Sequence, residues 1–232
     1  MPALNANARA LQSCVILTAI LAMVFAIWPG LDLWFTGLFY DPEYGFWLAH
    51  IEFVKHLREF IWKLIILTFL LAFGALVFTK TFRSTTPVLN KVWEVATLTY
   101  VLGPMLLVDV ILKSHSGRAR PSTVEEFGGN LTFSRAFEIS DQCEKNCSFV
   151  SGEGSGVTAL LITVLLVVRN SAPARYTRFV TLAAFAVTAA GLSLRVVMGR
   201  HFLSDTVFAV LFVTMIALGL LQLKRYRTLK LF

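Results

Sequence analysis

The sequence predicts an all-α, polytopic membrane protein with six transmembrane helices and an interfacial helix, and three observations carry that prediction. Mean hydropathy is +0.70, and 56% of the 232 residues are hydrophobic while 15% are charged, against roughly 25% charge in soluble domains. Apolar runs recur over 10–29, 60–79, 92–112, 149–168, 179–194 and 206–223. The shorter ones span a bilayer if their polar ends reach the headgroups or the membrane thins locally. Basic residues are also segregated. With the amino terminus cytoplasmic, the inner segments hold Arg9; Lys80, Arg83 and Lys91; Arg169, Arg175 and Arg178; and Lys224, Arg225, Arg227 and Lys230, eleven of the 21 basic residues. Glu94 is the one acid among them, and the other 13 acids fall on the outer side. The net charge of +7 therefore reports membrane topology, with the bilayer as partner and no sign of nucleic-acid binding.

The first run carries Arg9 ahead of it and ends in Trp28-Pro29-Gly30 without a small-x-small cleavage site, so it is kept as a helix. In the outer segment that follows, Trp47, Ile51, Val54 and Leu57 recur at helical spacing among charged residues, which predicts a helix lying in the interface. Trp28, Trp34, Trp47 and Trp62 fall where an aromatic belt forms. The third run bears Asp109 near its outer end. A carboxylate is expensive there, so it is expected to face the bundle interior and pair with a basic residue, unless it already lies in the wet interface.

The outer loop 113–148 opens with Lys113-Ser-His115-Ser-Gly117-Arg118-Ala-Arg120-Pro121, a basic stretch with turn residues that can shape an anion cradle or simply be a solvated loop. Cys143 and Cys147 lie in the same loop, and in an oxidising compartment a disulfide between them would pin it ahead of the next helix. That helix begins Val150-Ser151-Gly152-Glu153, whose hydroxyl and free N–H groups offer either an anion site or an ordinary cap. Beyond the fifth run comes Arg195-Val-Val-Met-Gly-Arg200-His201-Phe-Leu-Ser-Asp205. His201 and Asp205 are four residues apart, so if the sixth run begins near them they share a helical face, and the carboxylate can hold one imidazole nitrogen while the other acts as nucleophile or base. Guanidinium groups beside such a pair suit phosphate. No Cys and His spacing of the metal-ligand kind is present.

In the predicted topology these three stretches all fall at the outer end of the bundle. Together they resemble the type 2 phosphatidic acid phosphatase family of membrane phosphatases. Its first signature, Lys, six residues, Arg-Pro, matches Lys113 to Arg120-Pro121. The second, Pro-Ser-Gly-His, corresponds to Val150-Ser151-Gly152-Glu153. The third, Ser-Arg, five residues, His, three residues, Asp, matches Arg195, His201 and Asp205, with Leu194 in place of Ser. The arrangement Cys147-Ser-Phe-Val-Ser-Gly-Glu153 is similar to the branch that includes bacterial lipid A phosphatases.

The resemblance implies phosphoryl transfer in two steps without metal or cofactor. His201 attacks phosphorus, Asp205 orients it, and Lys113, Arg120, Arg195, Ser151 and the Gly152 amide hold the phosphoryl oxygens. Glu153 stands where the family has a histidine that protonates the leaving oxygen, and it serves as that acid if burial keeps it protonated; otherwise it contacts substrate or activity is lost. The resemblance further implies a phosphorylated membrane lipid as substrate, lipid A at its 4'-phosphate first, at the periplasmic face of a bacterial inner membrane with both termini cytoplasmic and no obligatory protein partner. Undecaprenyl diphosphate or phosphatidylglycerol phosphate as substrate, a lipid phosphotransferase, and a lipid carrier or flippase are the competing readings.

Overall fold

The computed structural model describes residues 6–82, 86–171 and 174–231; Arg83, one of the inner basic residues, lies outside them. Among the described residues the chain is helical, with six helices long and apolar enough to cross a membrane. They are α1 (Ala6–Ile27), α3 (Glu52–Phe82), α4 (Pro87–His115), α5 (Gly152–Ser171), α6 (Ala174–Val197) and α7 (Leu203–Leu220), with a short α2 (Gly30–Gly37) after α1. The helices extend past most of the apolar runs because a cap, not the last apolar residue, ends a helix. At the start of α4, for example, Thr86 accepts from the Leu89 N–H and Pro87 occupies the first turn.

The amphipathic stretch differs most from expectation. Residues 52–57 do not form a separate interfacial helix but begin α3, a single helix of 31 residues. Only Trp47–His50 is set apart, as one 3-10 turn, while α2 supplies the additional helix between α1 and α3. Once Val54 and Leu57 can pack on the bundle core, continuing the hydrogen-bond ladder costs less than ending it.

α5 is the central helix, packed against α3, α4, α6 and α7, with 67% of its most apolar stretch buried against 11% for α1. Its small residues permit that crowding: a Cβ on Gly156 would come within 2.9 Å of Ile65 Cγ2, and one on Gly191 of α6 within 2.7 Å of Val157 Cγ1. α4 loosens to a π-helical ladder over Val101–Leu112, a stretch containing Pro104, which has no N–H to donate. At one end of the bundle Glu94 pairs with Lys80 at 2.5 Å and Arg225 at 2.6 Å, tying α3, α4 and the C-terminal tail together. At the other end the C-termini of α4 and α6 meet the N-termini of α5 and α7, and loop 116–151 folds over them.

Candidate active site

His201 sits between α6 and α7, in a turn closed by the Arg200 and His201 N–H groups donating to the Arg195 carbonyl. Gly199 allows that turn, having φ +63° and no room for a Cβ beside Phe46. The imidazole is buried, with 1% exposure. Its Nδ1 lies 2.8 Å from the Ser148 carbonyl and 3.5 Å from Asp205 Oδ2. The expected Asp205 contact is therefore the longer one, and the backbone oxygen receives the Nδ1 proton. Nε2 is then the nitrogen with a lone pair. Burial, seconded by the charges of Arg195 and Arg120, outweighs Asp205 and lowers the His201 pKa to about 4, so the ring is neutral near pH 7.

Asp205 is held from four directions. Arg118 Nη1 donates to Oδ1 at 2.6 Å, while Oδ2 accepts from the Ser148 hydroxyl at 2.5 Å and the Phe202 N–H at 2.9 Å. Its own carbonyl accepts from the Ser151 N–H at 3.1 Å, joining the starts of α5 and α7. Arg118 is wholly buried; its guanidinium lies 4.4 Å over the Phe202 ring, and Nε donates to the Ser134 carbonyl. Burial opposes the Arg118 charge, but Asp205 and Asp32 outweigh it and raise its pKa. Removing one member of such a buried ion pair costs roughly 3–5 kcal/mol.

The cations gather beside this core. Lys113 Nζ lies 3.2 Å from Asn146 Oδ1 and 3.3 Å from Asp109, and Arg120 Nη2 donates to the Asn146 carbonyl at 2.8 Å. Asp109 is exposed and so does not face the bundle interior, although it pairs with Lys113 as expected. Asn146, at φ +55°, is framed by the Cys143–Cys147 disulfide, so the bridge holds the residue that both cations grasp. Burial first, then Arg200 and Arg58, lower the Arg120 pKa against the pull of Asp205 and Glu153. Arg195 is 4% exposed, and its Nε and Nη1 make no hydrogen bond. Nη1 stands 3.1 Å from Glu153 Oε2, close enough for an ion pair but not aligned as a hydrogen bond.

Glu153 does not sit as a proton donor would. Arg58 Nε lies 3.1 Å from both of its oxygens, Arg58 Nη2 donates to Oε1, and Arg195 adjoins Oε2. Both oxygens thus face guanidinium groups, a placement in which Glu153 partners two cations. Ser151 is buried; its hydroxyl accepts from the Gly154 N–H, the ordinary cap, and its amide is spent on Asp205. A side chain on Gly152 would run into Lys113 Nζ, so glycine keeps that ammonium against the helix start.

All the predicted site residues are therefore brought to one end of the bundle. Asp32, Arg58, Asn146 and Ser148 were missed. Asp32 alone left a trace, as the one acid in the apolar run from Leu31 to Phe35. Among the described residues no group of three or more His, Cys, Asp or Glu is placed to hold a metal ion.

The sequence profile of a known family matches residues 94–229, the segment that holds Lys113, Arg120, Glu153, Arg195, His201 and Asp205. The chain belongs to the PAP2 superfamily. It is 34% identical over 201 residues to a lipid A 4'-phosphatase of Francisella tularensis subsp. novicida (strain U112), covering 82% of this chain and 84% of that protein. It is 38% identical over 130 residues to a lipid A 4'-phosphatase of Rhizobium leguminosarum, covering 56% and 54%. A third, from Rhizobium etli, is 40% identical over 105 residues, covering 45% and 39%. No solved structure matches this PAP2 superfamily member.

Proposed function

We propose that this membrane phosphatase removes the 4'-phosphate of lipid A at the periplasmic face of a bacterial inner membrane, through a phosphohistidine on His201. The observation that carries the chemistry is a neutral imidazole, fixed through Nδ1, beside an arginine whose buried Nε and Nη1 donors have no hydrogen-bond partner. A bound phosphate would supply those donors with acceptors. Nε2 forms the bond to phosphorus as the ester P–O bond breaks, and the sugar oxygen leaves with the electron pair and takes a proton from water. Water then attacks phosphorus, the N–P bond breaks, and phosphate departs from a regenerated imidazole. Arg120, Arg195, Lys113 and the first turn of α5, with Ser151 and Gly152, oppose the charge on the transferring group. Asp205 faces the ring as it becomes cationic. Glu153 holds Arg58 and Arg195 in place.

Two further features support a lipid substrate. The relatives are lipid A 4'-phosphatases, and a groove of about 360 Å³, lined by Leu17, Leu21, Phe35, Phe39, Val207 and Leu211, runs beside the segments that carry His201. The purified protein, incubated in detergent with bis-phosphorylated lipid A, should release inorganic phosphate and leave a product whose fragmentation places the loss at the 4'-position. His201→Ala should release none. Loss from the 1-position would overturn the regiochemistry, transfer to an added lipid acceptor in preference to water would indicate a phosphotransferase, and phosphate release by His201→Ala would overturn the mechanism.

A further inference from the structure

We propose that Asp32, which lies outside the segment matched by the family, is a positioning residue of this site: through Arg118 and Ser204 it fixes the Asp205 carboxylate that faces His201. The inference rests on reading His201 as the nucleophile.

Asp32 is 1% exposed and lies in the first turn of α2. An acid at that position ordinarily serves its own helix, capping free N–H groups or opposing the helix dipole. Here its oxygens turn to α7 and the loop instead. Oδ1 accepts from the Ser204 N–H at 2.8 Å; Oδ2 accepts from the Ser204 hydroxyl at 2.5 Å and from Arg118 Nη2 at 2.8 Å. Arg118 thus stands between two carboxylates, with Nη2 on Asp32 and Nη1 shared by Asp205 at 2.6 Å and the Ser204 hydroxyl at 2.8 Å. Because a guanidinium is a rigid planar fork, holding one arm on Asp32 determines where the other meets Asp205.

Without Asp32, Arg118 would keep an unmatched donor in a dry pocket and could turn both arms onto Asp205. That would draw the carboxylate from Ser148, whose carbonyl holds the ring. Charge works in the same direction. Burial raises the Asp32 pKa, but Arg118 and the two Ser204 donors all favour its ionised form. Two carboxylates around one guanidinium leave an excess negative charge near His201, and the ring becomes cationic when Nε2 bonds to phosphorus while Nδ1 keeps its proton. With Asp32 neutralised, the Arg118–Asp205 pair offers no such excess. A residue that merely tied α2 to the bundle would affect stability without selecting this step.

The test is Asp32→Asn in the full chain in detergent, read in two ways. On the lipid substrate, kcat should fall about tenfold with KM changed less than about twofold, as for partners that orient a reacting group without touching substrate. With ¹⁵N-labelled histidine, the His201 midpoint should move below its wild-type value of about 4, because Arg118, no longer shared with Asp32, offsets more of the Asp205 charge that raises it, while Glu153, Arg195 and Arg120 are unchanged. The second reading needs no turnover, so it stands even if the lipid assignment fails. Ser204→Ala, which removes one hydroxyl without uncovering a charge, should shift both readings the same way by less and serves if Asp32→Asn does not fold. Unchanged kcat and unchanged His201 titration in whichever variant folds, or a change confined to KM or thermal stability, overturns the proposal.

Discussion

The Ser148 carbonyl stands 2.8 Å from His201 Nδ1, closer than the Asp205 carboxylate at 3.5 Å. The tautomer of the proposed nucleophile is therefore set chiefly by backbone. Where a carboxylate alone sets the tautomer, as in the serine protease triad, Asp→Asn costs about 10⁴ in kcat. Asp205→Asn should cost less here, on the order of 10², because the Ser148 carbonyl survives. Ser148→Ala also keeps the carbonyl and should lose less than tenfold. Steady-state kcat for both variants decides; a larger loss in Ser148→Ala than in Asp205→Asn would mean that the hydroxyl, not the carboxylate, matters to the chemistry.

The pH dependence follows from the buried imidazole. Attack needs the neutral ring, so kcat/KM should hold on its acid side until the pH falls through about 4, where His201 takes up a proton. A solvated histidine would lose activity near 6.5. For stability the sign is the same, since the unfolded chain binds the proton first and the fold weakens as pH falls from about 6.5 towards 4. An acid limb between pH 6 and 7 would show that His201 is not the group titrating, or not buried in the working protein.

Glu153→Gln removes the charge that Arg58 and Arg195 face. If Glu153 organises cations, the loss should be similar on an activated aryl phosphate and on the lipid, since leaving-group protonation is not involved. Arg58→Ala should be non-additive with it, coupled by roughly 0.5–3 kcal/mol in a double-mutant cycle. A loss confined to the lipid, with its poorer leaving group, would restore the acid role.

Arg195 supplies the buried donors that lack hydrogen-bond acceptors. Arg195→Ala should lower kcat/KM on the order of 10² to 10³, by analogy with a lost oxyanion donor. Arg195→Lys should recover only part, because an ammonium cannot reproduce the fork. Full activity in the lysine variant would rule out a bidentate grip.

The Cys143–Cys147 bridge frames Asn146, which anchors Lys113 and Arg120. Its thiols should resist alkylation until reductant is added. Cys143→Ser should raise KM a few-fold while lowering thermal stability only slightly, because the loop it closes is short. A kcat effect of 10² would mean that the loop does more than steady two cations.

Some of this was legible in the sequence alone. Six apolar runs determined the helices, because the bilayer demands continuous apolar stretches whose backbone is satisfied internally. The spacing from Lys113 to Arg120, and from Arg195 through His201 to Asp205, marked the candidate site, since residues at helix ends act within a few positions of one another. What only tertiary structure decided depends on contacts between distant parts of the chain. Asp32 meets Arg118 across 86 residues, and Arg58 meets Glu153 across 95. Nothing local to Glu153 announces that two guanidinium groups will meet its carboxylate, and so that pairing could not be read from Val150 to Gly154. The same holds for Ser148, whose part is played by a backbone carbonyl that every residue possesses. Side-chain chemistry is written in the sequence, but the partner that determines how a buried charge or backbone oxygen is used is chosen by packing.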